Sequence, residues 1–120
     1  MAKILNNRLV ILAVTLFFIG CQPTINRVAL INDSSSVIQK ATIQVSRQSF
    51  SFENIAPSEK REFSFGVMSD SDYVVRIVFV GGRELNKNQL GYVTSGVDSH
   101  DEIHVKDADI TLEIVGSKFH

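Results

Sequence analysis

The residues best suited to chemistry lie in one short segment, residues 98–104 (DSHDEIH), which holds two histidines and three acidic side chains. Imidazole nitrogens and carboxylate oxygens are common ligands of divalent transition metals. On a straight strand, His100 and His104 lie about 13 Å apart at ~3.3 Å per residue, which is too far for one ion. Glu102 and His104 share a face about 6.6 Å apart, but together they supply only two ligands. We therefore predict a polar outer strand face and no metal site, with His100, Glu102 and His104 as weak candidates.

Three other segments carry residue types that are used in catalysis or in ligand binding. Residues 99–101 are those of a hydrolase triad, but neighbours in sequence diverge in space, and a triad depends on geometry. Residues 70–72 begin like a calcium-binding loop, yet the glycine required at the sixth position is missing. Residues 81–82 are glycines followed by Arg83, which is typical of a turn and not of a phosphate-binding loop. The sequence therefore predicts a non-enzyme without a cofactor.

The elements that must position these residues are short β-strands. No window has a convincing 3.6-residue apolar period, and segments rich in β-branched and aromatic residues alternate with turn residues. This spacing predicts an all-β domain, a small antiparallel sandwich of seven to nine strands, with a small eight-stranded barrel as the alternative. The expected strands are residues 27–32, 37–47, 48–52, 61–67, 73–80, 89–95, 102–106 and 109–115.

Two of the expected strands contain the tripeptide Phe-Ser-Phe. A hairpin folded about the loop at residues 53–60 would place Phe52 opposite Phe63 and Phe50 opposite Phe65. We expect a cross-strand cluster of four phenylalanines on one sheet face. Residues 81–82 predict a second, tight hairpin.

The first twenty residues have the pattern of a cleaved export signal. Lys3 and Arg8 precede an apolar run at residues 9–19 (LVILAVTLFFI). This run is shorter than the roughly 20 residues that a membrane-spanning helix needs. A basic start and a short apolar core are typical of a secretory signal peptide.

The end of this signal, Phe18-Ile19-Gly20-Cys21, resembles the lipobox of bacterial lipoprotein precursors. The resemblance implies cleavage between Gly20 and Cys21, and a diacylglycerol and an acyl chain such as palmitate on Cys21. Two or more acyl chains hold a protein stably on a membrane. In Gram-negative hosts, Gln22 after the cysteine implies the periplasmic face of the outer membrane. The expected organisation is a signal peptide at 1–20, a lipidated N-terminus with a short tether at 21–26, and an all-β domain at 27–120.

A second resemblance concerns the domain itself. Residues 28–32 (VALIN) and 55–59 (IAPSE), each beside a strand and a turn, are similar to segments of small bacterial immunoglobulin-like domains. That resemblance implies an immunoglobulin-like β-sandwich. Cys21 is the chain's single cysteine, so the domain has no disulfide to support it.

Charge and location together indicate the class of partner. The net charge is −1, and loss of Lys3 and Arg8 with the signal leaves 10 basic against 13 acidic residues, a net charge of −3. This balance argues against nucleic-acid binding, which favours a strongly basic domain. We expect a non-catalytic accessory or structural module that binds another envelope protein. The alternative is an envelope inhibitor or immunity lipoprotein that blocks a lytic enzyme such as a lysozyme.

Two loops are the expected binding regions, residues 81–88 and residues 96–102. Their candidate side chains and turn residues are Gly81, Gly82, Arg83, Glu84, Asn86, Lys87, Asn88, Asp98 and His100.

Overall fold

The computed structural model describes residues 24–67 and 69–119, and this part of the chain forms eight β-strands. The strands are β1 (Thr24–Asn32), β2 (Ile38–Val45), β3 (Gln48–Ile55), β4 (Lys60–Val67), β5 (Ser71–Phe79), β6 (Glu84–Val93), β7 (Val97–Val105) and β8 (Ile110–Phe119). They form two four-stranded sheets, a first sheet in the order β4-β1-β7-β8 and a second in the order β3-β2-β5-β6. The predicted small β-sandwich is confirmed. The barrel alternative is wrong, because the two sheets remain separate.

One strand pair departs from the expected antiparallel arrangement. β1 and β7 are hydrogen-bonded in parallel, with Arg27 beside His100 and Leu30 beside Ile103. The other neighbouring strands of the two sheets are antiparallel. The parallel pair places the beginnings of β1 and β7 at the same end of the sandwich.

The core lies between the sheets and follows the alternation of apolar residues along the strands. Ala41, Ile43 and Val45 alternate with polar residues in the sequence, which predicts that they share one face of β2, and all three side chains are buried. The same alternation predicts Ile110, Leu112 and Ile114 as inward residues of β8, but Ile114 is 61% exposed. It lines an open cleft near the edge of the sandwich and not the closed core. The other large core side chains are Val28, Leu30, Ile38, Ile55, Phe65, Tyr73, Val75, Ile77, Phe79, Ile103, Val105 and Ile110.

Several strand boundaries differ from the expected ones. The expected strand at 37–47 ends at Val45, because Ser46 and Arg47 form a two-residue turn with φ of 50° and 61°. Two positive φ angles match the twist of a tight hairpin, but neither residue type signals them in a sequence. β1, β6 and β7 begin earlier than expected, and β3 and β8 end later. Most of their additional residues are polar, and two of these polar residues, Asn26 on β1 and Asp101 on β7, are buried.

The hairpin expected between the two Phe-Ser-Phe segments is wrong. β3 pairs with β2 and β4 pairs with β1, so these segments belong to opposite sheets. The four phenylalanines nevertheless meet across the sandwich, with the ring centroids of Phe50 and Phe63 4.5 Å apart and those of Phe52 and Phe63 5.7 Å apart. The cluster therefore forms an inter-sheet contact on the β3–β4 side. A hairpin at Gly81 and Gly82 does join β5 to β6, but its connection runs over residues 80–83 and is longer than the expected two-residue turn.

The two ends of the sandwich carry different turns. We call the end where β1 begins the anchor end, because the predicted lipid on Cys21 would lie on that side. This end also carries the turns at 46–47 and 94–96 and the last residues of β8. The distal end carries the connections at 33–37, 56–59, 80–83 and 106–109. The predicted signal peptide at 1–20, with the predicted cleavage between Gly20 and Cys21, lies outside the described residues, as does Cys21 itself. Across residues 24–67 and 69–119, there is no helix with the length and hydropathy needed to cross a bilayer.

Candidate functional site

The three weak metal candidates lie on β7, on the outer face of the first sheet. Glu102 and His104 are neighbours on this face, and Glu102 Oε1 lies 3.2 Å from His104 Nε2. His100 is on the same face, but its ring nitrogens do not belong to the group of close ligand atoms that includes those of Glu102 and His104. The expected proximity of Glu102 and His104 is therefore found.

Two carboxylates that the sequence did not associate with His104 complete this cluster. Glu113 on β8 pairs with Glu102 across the sheet, and its Oε2 lies 3.6 Å from His104 Nε2. Asp33, just after β1, places Oδ2 2.5 Å from Nδ1 of the same ring. We define Asp33, Glu102, His104 and Glu113 as the His104 cluster. Only the pairing of β1, β7 and β8 brings these residues together, and no short-range pattern indicates that pairing.

Electrostatics favours a proton on His104. Partial burial lowers the pKa of the imidazole, but the hydrogen bonds and charges of Asp33 and Glu102 outweigh it and raise the pKa above its ordinary value of 6.5. A protonated ring donates from both nitrogens, which matches a carboxylate on each side. The ligand atoms of Glu102, His104 and Glu113 all lie within 4.8 Å of one another, so three ligands are available where the strand spacing had suggested two. A divalent cation there would have to displace the proton on Nε2.

A second polar group is buried between the sheets. Asp101 is only 2% exposed, and its Oδ2 accepts a 2.6 Å hydrogen bond from the phenol of Tyr73. The Ser99 hydroxyl lies 2.5 Å from its other carboxylate oxygen. Burial, together with Asp101, strongly raises the pKa of the Tyr73 phenol, which therefore remains a proton donor. The sequence did indicate an inward position for Asp101, since this residue alternates along β7 with the same parity as the inward residues Ile103 and Val105.

A cleft opens on the β6–β8 side of the sandwich, near the anchor end. Its volume is about 190 Å³, and we name it the β6–β8 cleft. Tyr92 and Ile114 at this site are 65% and 61% exposed. Asn26 is almost completely buried, and its Oδ1 has no hydrogen-bond partner among the described residues. The lining consists of Asn26, Tyr92, Thr94, Val97, Ser99, Ile114 and Ser117.

The predicted binding loop at 81–88 is a loop only as far as Arg83, because Glu84, Asn86, Lys87 and Asn88 belong to β6. These four residues are polar because β6 is an edge strand with an outer face in solvent. Arg83 lies 4.0 Å above the Phe79 ring and donates to the carbonyl of Asp107. This contact holds the 80–83 turn against the 106–109 turn. Glu84 and Lys87 form exposed ion pairs with Arg76 and Asp109.

The predicted region at 96–102 is also mostly strand, since β7 begins at Val97. Asp98 accepts a 2.8 Å hydrogen bond from the backbone N–H of Ile25, and His100 is exposed on the outer face. The two predicted loops lie at opposite ends of the sandwich. They cannot form one continuous binding surface made of end loops.

The comparisons with known proteins bear on the fold. No protein-family model and no curated protein matches the chain. Among solved structures, the chain is similar to a protein from Eubacterium rectale determined by NMR, with 17% identity and a TM-score of 0.54, covering 80% of this chain and 91% of the other. At that identity the likeness concerns the fold alone. It agrees with the class that the two sheets define, a small β-sandwich.

Two further structures are more distant. A candidate cell adhesion protein from Bacteroides uniformis has 5% identity and a TM-score of 0.45, and the match covers 80% of this chain and half of the other. A chain in the structure of a disulfide-locked intermedilysin mutant with human CD59 has 12% identity and a TM-score of 0.38, with 77% and 24% covered.

Proposed function

We propose that the chain is an envelope lipoprotein, anchored through Cys21, whose sandwich is a non-catalytic module that binds another envelope protein. The observation that carries this proposal is the position of β1, which begins at Thr24. Three residue steps from Cys21 span at most about 11 Å, whatever their conformation. A lipid on Cys21 would therefore hold the anchor end close to the headgroups.

With the anchor end at the headgroups, the two ends of the sandwich would have different surroundings. β1 has nine residues, so the distal end lies roughly 30 Å beyond the anchor end at ~3.3 Å per residue. The distal turns and the sides of the sandwich would remain accessible to a partner at the same membrane. With two acyl chains or more, the anchoring would be stable. In a Gram-negative host, the proposed location is the periplasmic face of the outer membrane.

The polar side chains of these clusters hydrogen-bond one another, which supports a binding role over catalysis. The carboxylates around His104 form hydrogen bonds with its ring nitrogens, and Asp101 accepts hydrogen bonds from the hydroxyls of Tyr73 and Ser99. At the distal end, Asp107 accepts both the N–H and the hydroxyl of Ser35. These side chains therefore stabilise strands and turns, and we assign them no role in a reaction.

In-cell photocrosslinking tests the partner. A photoreactive phenylalanine analogue replaces Val80 at the distal end or Tyr92 beside the β6–β8 cleft, both of which are well exposed. The same analogue at Ser51, exposed on β3, is the control position. We expect a discrete adduct with one envelope protein from Val80 or Tyr92, and its loss in a Cys21→Ala background.

The absence of any adduct from both positions would contradict the binding proposal. An added assay distinguishes the inhibitor alternative. Protection of cell walls from purified lysozymes by the chain, without an envelope adduct, would replace the accessory role by inhibition.

A further inference from the structure

One residue that lines the β6–β8 cleft, Asn26, has a buried hydrogen-bond acceptor that the fold does not use. Asn26 is 1% exposed, and its side chain hydrogen-bonds the Tyr73 phenol. Its Oδ1 is buried without a partner among the described residues, although the residue lines the cleft. Leaving a buried acceptor unpaired is unfavourable because it has lost its hydrogen bonds to water, and a donor that reaches it from the cleft would offset that cost.

The size of the cleft restricts what can enter it. Its volume of about 190 Å³ is below the roughly 300–1,000 Å³ of typical small-molecule sites. One side chain of a larger partner fits such a space better than a free cofactor. β6 passes close to β8 here, since a Cβ on Gly91 would lie 2.9 Å from Cδ2 at the end of the Leu112 side chain.

The charges around the cleft favour a cation. The lining itself carries hydroxyls, an amide and apolar groups, and no charged side chain. Behind it, Ser99 connects the cleft to the buried carboxylate of Asp101, and no ion pair among the described residues includes Asp101. Beside it, Asp70 accepts hydrogen bonds from the Tyr92 phenol and the Ser95 N–H. Ser99 and Ser117 also line an adjoining groove on the outer face, where Arg27 and Lys118 lie with Asp98. These two cations belong to that groove and not to the lining of the cleft.

The arrangement of acceptors and the aromatic ring favours guanidinium over ammonium. The lining of the cleft includes four residues with side-chain oxygen atoms, namely Asn26, Thr94, Ser99 and Ser117. Tyr92 supplies an exposed aromatic ring. A guanidinium has five N–H donors in one plane and stacks on aromatic faces, whereas an ammonium is a compact point charge.

We propose that the β6–β8 cleft receives an arginine side chain of the envelope protein that the sandwich binds. This inference rests on the proposed function and specifies the chemistry of the partner. A guanidinium in the cleft donates to Asn26 Oδ1 and to the hydroxyls, stacks on Tyr92, and lies near the buried carboxylate of Asp101. Because the cleft is near the anchor end, the partner's arginine would lie close to the membrane surface.

Titration of the full chain, purified in detergent, tests the inference. The probes are the capped tripeptides Gly-Arg-Gly, Gly-Lys-Gly and Gly-citrulline-Gly, followed by ¹H–¹⁵N correlation spectra. We expect saturable shifts at the amides of Asn26, Tyr92, Thr94, Ser99 and Ser117 with the arginine peptide. Citrulline has nearly the same shape without the charge, and we expect about ten-fold weaker binding because charge-assisted hydrogen bonds are stronger.

Two variants connect the shifts to the cleft. Ser117→Trp fills the space and should abolish the shifts, while Ser51→Trp on β3 is the matched control and should preserve them. Tyr92→Ala removes the ring and should weaken binding about two- to five-fold, the range for an exposed cation–π contact. Tyr92→Phe retains the ring and should bind like the parent. Tyr92 is largely exposed, so this pair remains informative if Ser117→Trp fails to fold.

Three results would overturn the inference: no saturable shifts, equal binding of citrulline, or tighter binding of lysine. Unchanged binding by folded Ser117→Trp would place the site elsewhere and overturn it too. Different results would refute the proposed function. Arginine binding without a photocrosslinked envelope partner would leave the cleft assignment in place and refute the binding role. A crosslinked partner without arginine binding would refute only the inference.

Discussion

Removal of one buried hydroxyl should measurably destabilise the sandwich. Tyr73 is fully buried, and its phenol donates a 2.6 Å hydrogen bond to Asp101 Oδ2. Tyr73→Phe leaves the ring in place but leaves that carboxylate oxygen without its donor. Hydrogen bonds to charged groups contribute about 1.5–3 kcal/mol, so we expect a loss of about 2 kcal/mol in the free energy of unfolding. For a domain of this size, that loss corresponds to a fall in Tm of roughly 8–16 °C.

The assay is urea unfolding, followed by circular dichroism, of a chain that begins at residue 22. The midpoint should fall while the denaturant dependence of the free energy stays unchanged, because the exposed area on unfolding is the same. Tyr92→Phe is the matched control. Its hydroxyl lies 3.2 Å from Asp70 on the surface, and we expect a change within about 0.5 kcal/mol.

A double-mutant cycle isolates the contact. In an Asp101→Val background there is no carboxylate to leave unpaired, so Tyr73→Phe should cost at least about 1 kcal/mol less than in the parent. Equal losses in the two backgrounds would refute the interaction. Equal losses for Tyr73→Phe and Tyr92→Phe would refute the role of burial.

Two further predictions concern the first sheet and the close approach of β6 to β8. Because the folded-state pKa of His104 is raised above 6.5, its ion pairs stabilise fully below that pH and lose their effect as the pH rises through the raised pKa. The parent's free energy of unfolding should therefore exceed that of His104→Gln by an amount that shrinks with rising pH. The change should be no more than about 1 kcal/mol, because the carboxylates are partly exposed. A difference that grows with pH would contradict the raised pKa of His104. Gly91→Ala should destabilise more than Gly82→Ala, since both positions have positive φ but only Gly91 lacks room for a Cβ against Leu112. Thermal unfolding of the two variants provides the comparison, and a larger loss for Gly82→Ala would show that packing at Gly91 is not limiting.

The strands were predictable where burial alternates in the sequence. Ala41, Ile43 and Val45 illustrate this, because a half-buried strand requires apolar residues at every second position. The same parity places Asp101 inside beside Ile103, although its polar type argued for the surface. The turn at Ser46 was not predictable, because its positive φ is imposed by pairing with the next strand.

The sites depended on contacts between distant parts of the chain. Phe50 and Phe63 were expected to meet within a hairpin, and they meet between sheets because each strand pairs with another neighbour. Glu113 reaches His104 only through the register of β7 and β8. The β6–β8 cleft is defined by the relative position of two edge strands, which no local pattern encodes.

Lipid attachment at Cys21 is the most direct test of the proposed function. Cells that express the chain or its Cys21→Ala variant are labelled with palmitate, and the membranes are separated from the released protein. We expect label on the parent chain in the membrane fraction, and an unlabelled Cys21→Ala chain that is no longer held there by lipid. An unlabelled parent chain, or equal labelling of the Cys21→Ala variant, would contradict the proposed function.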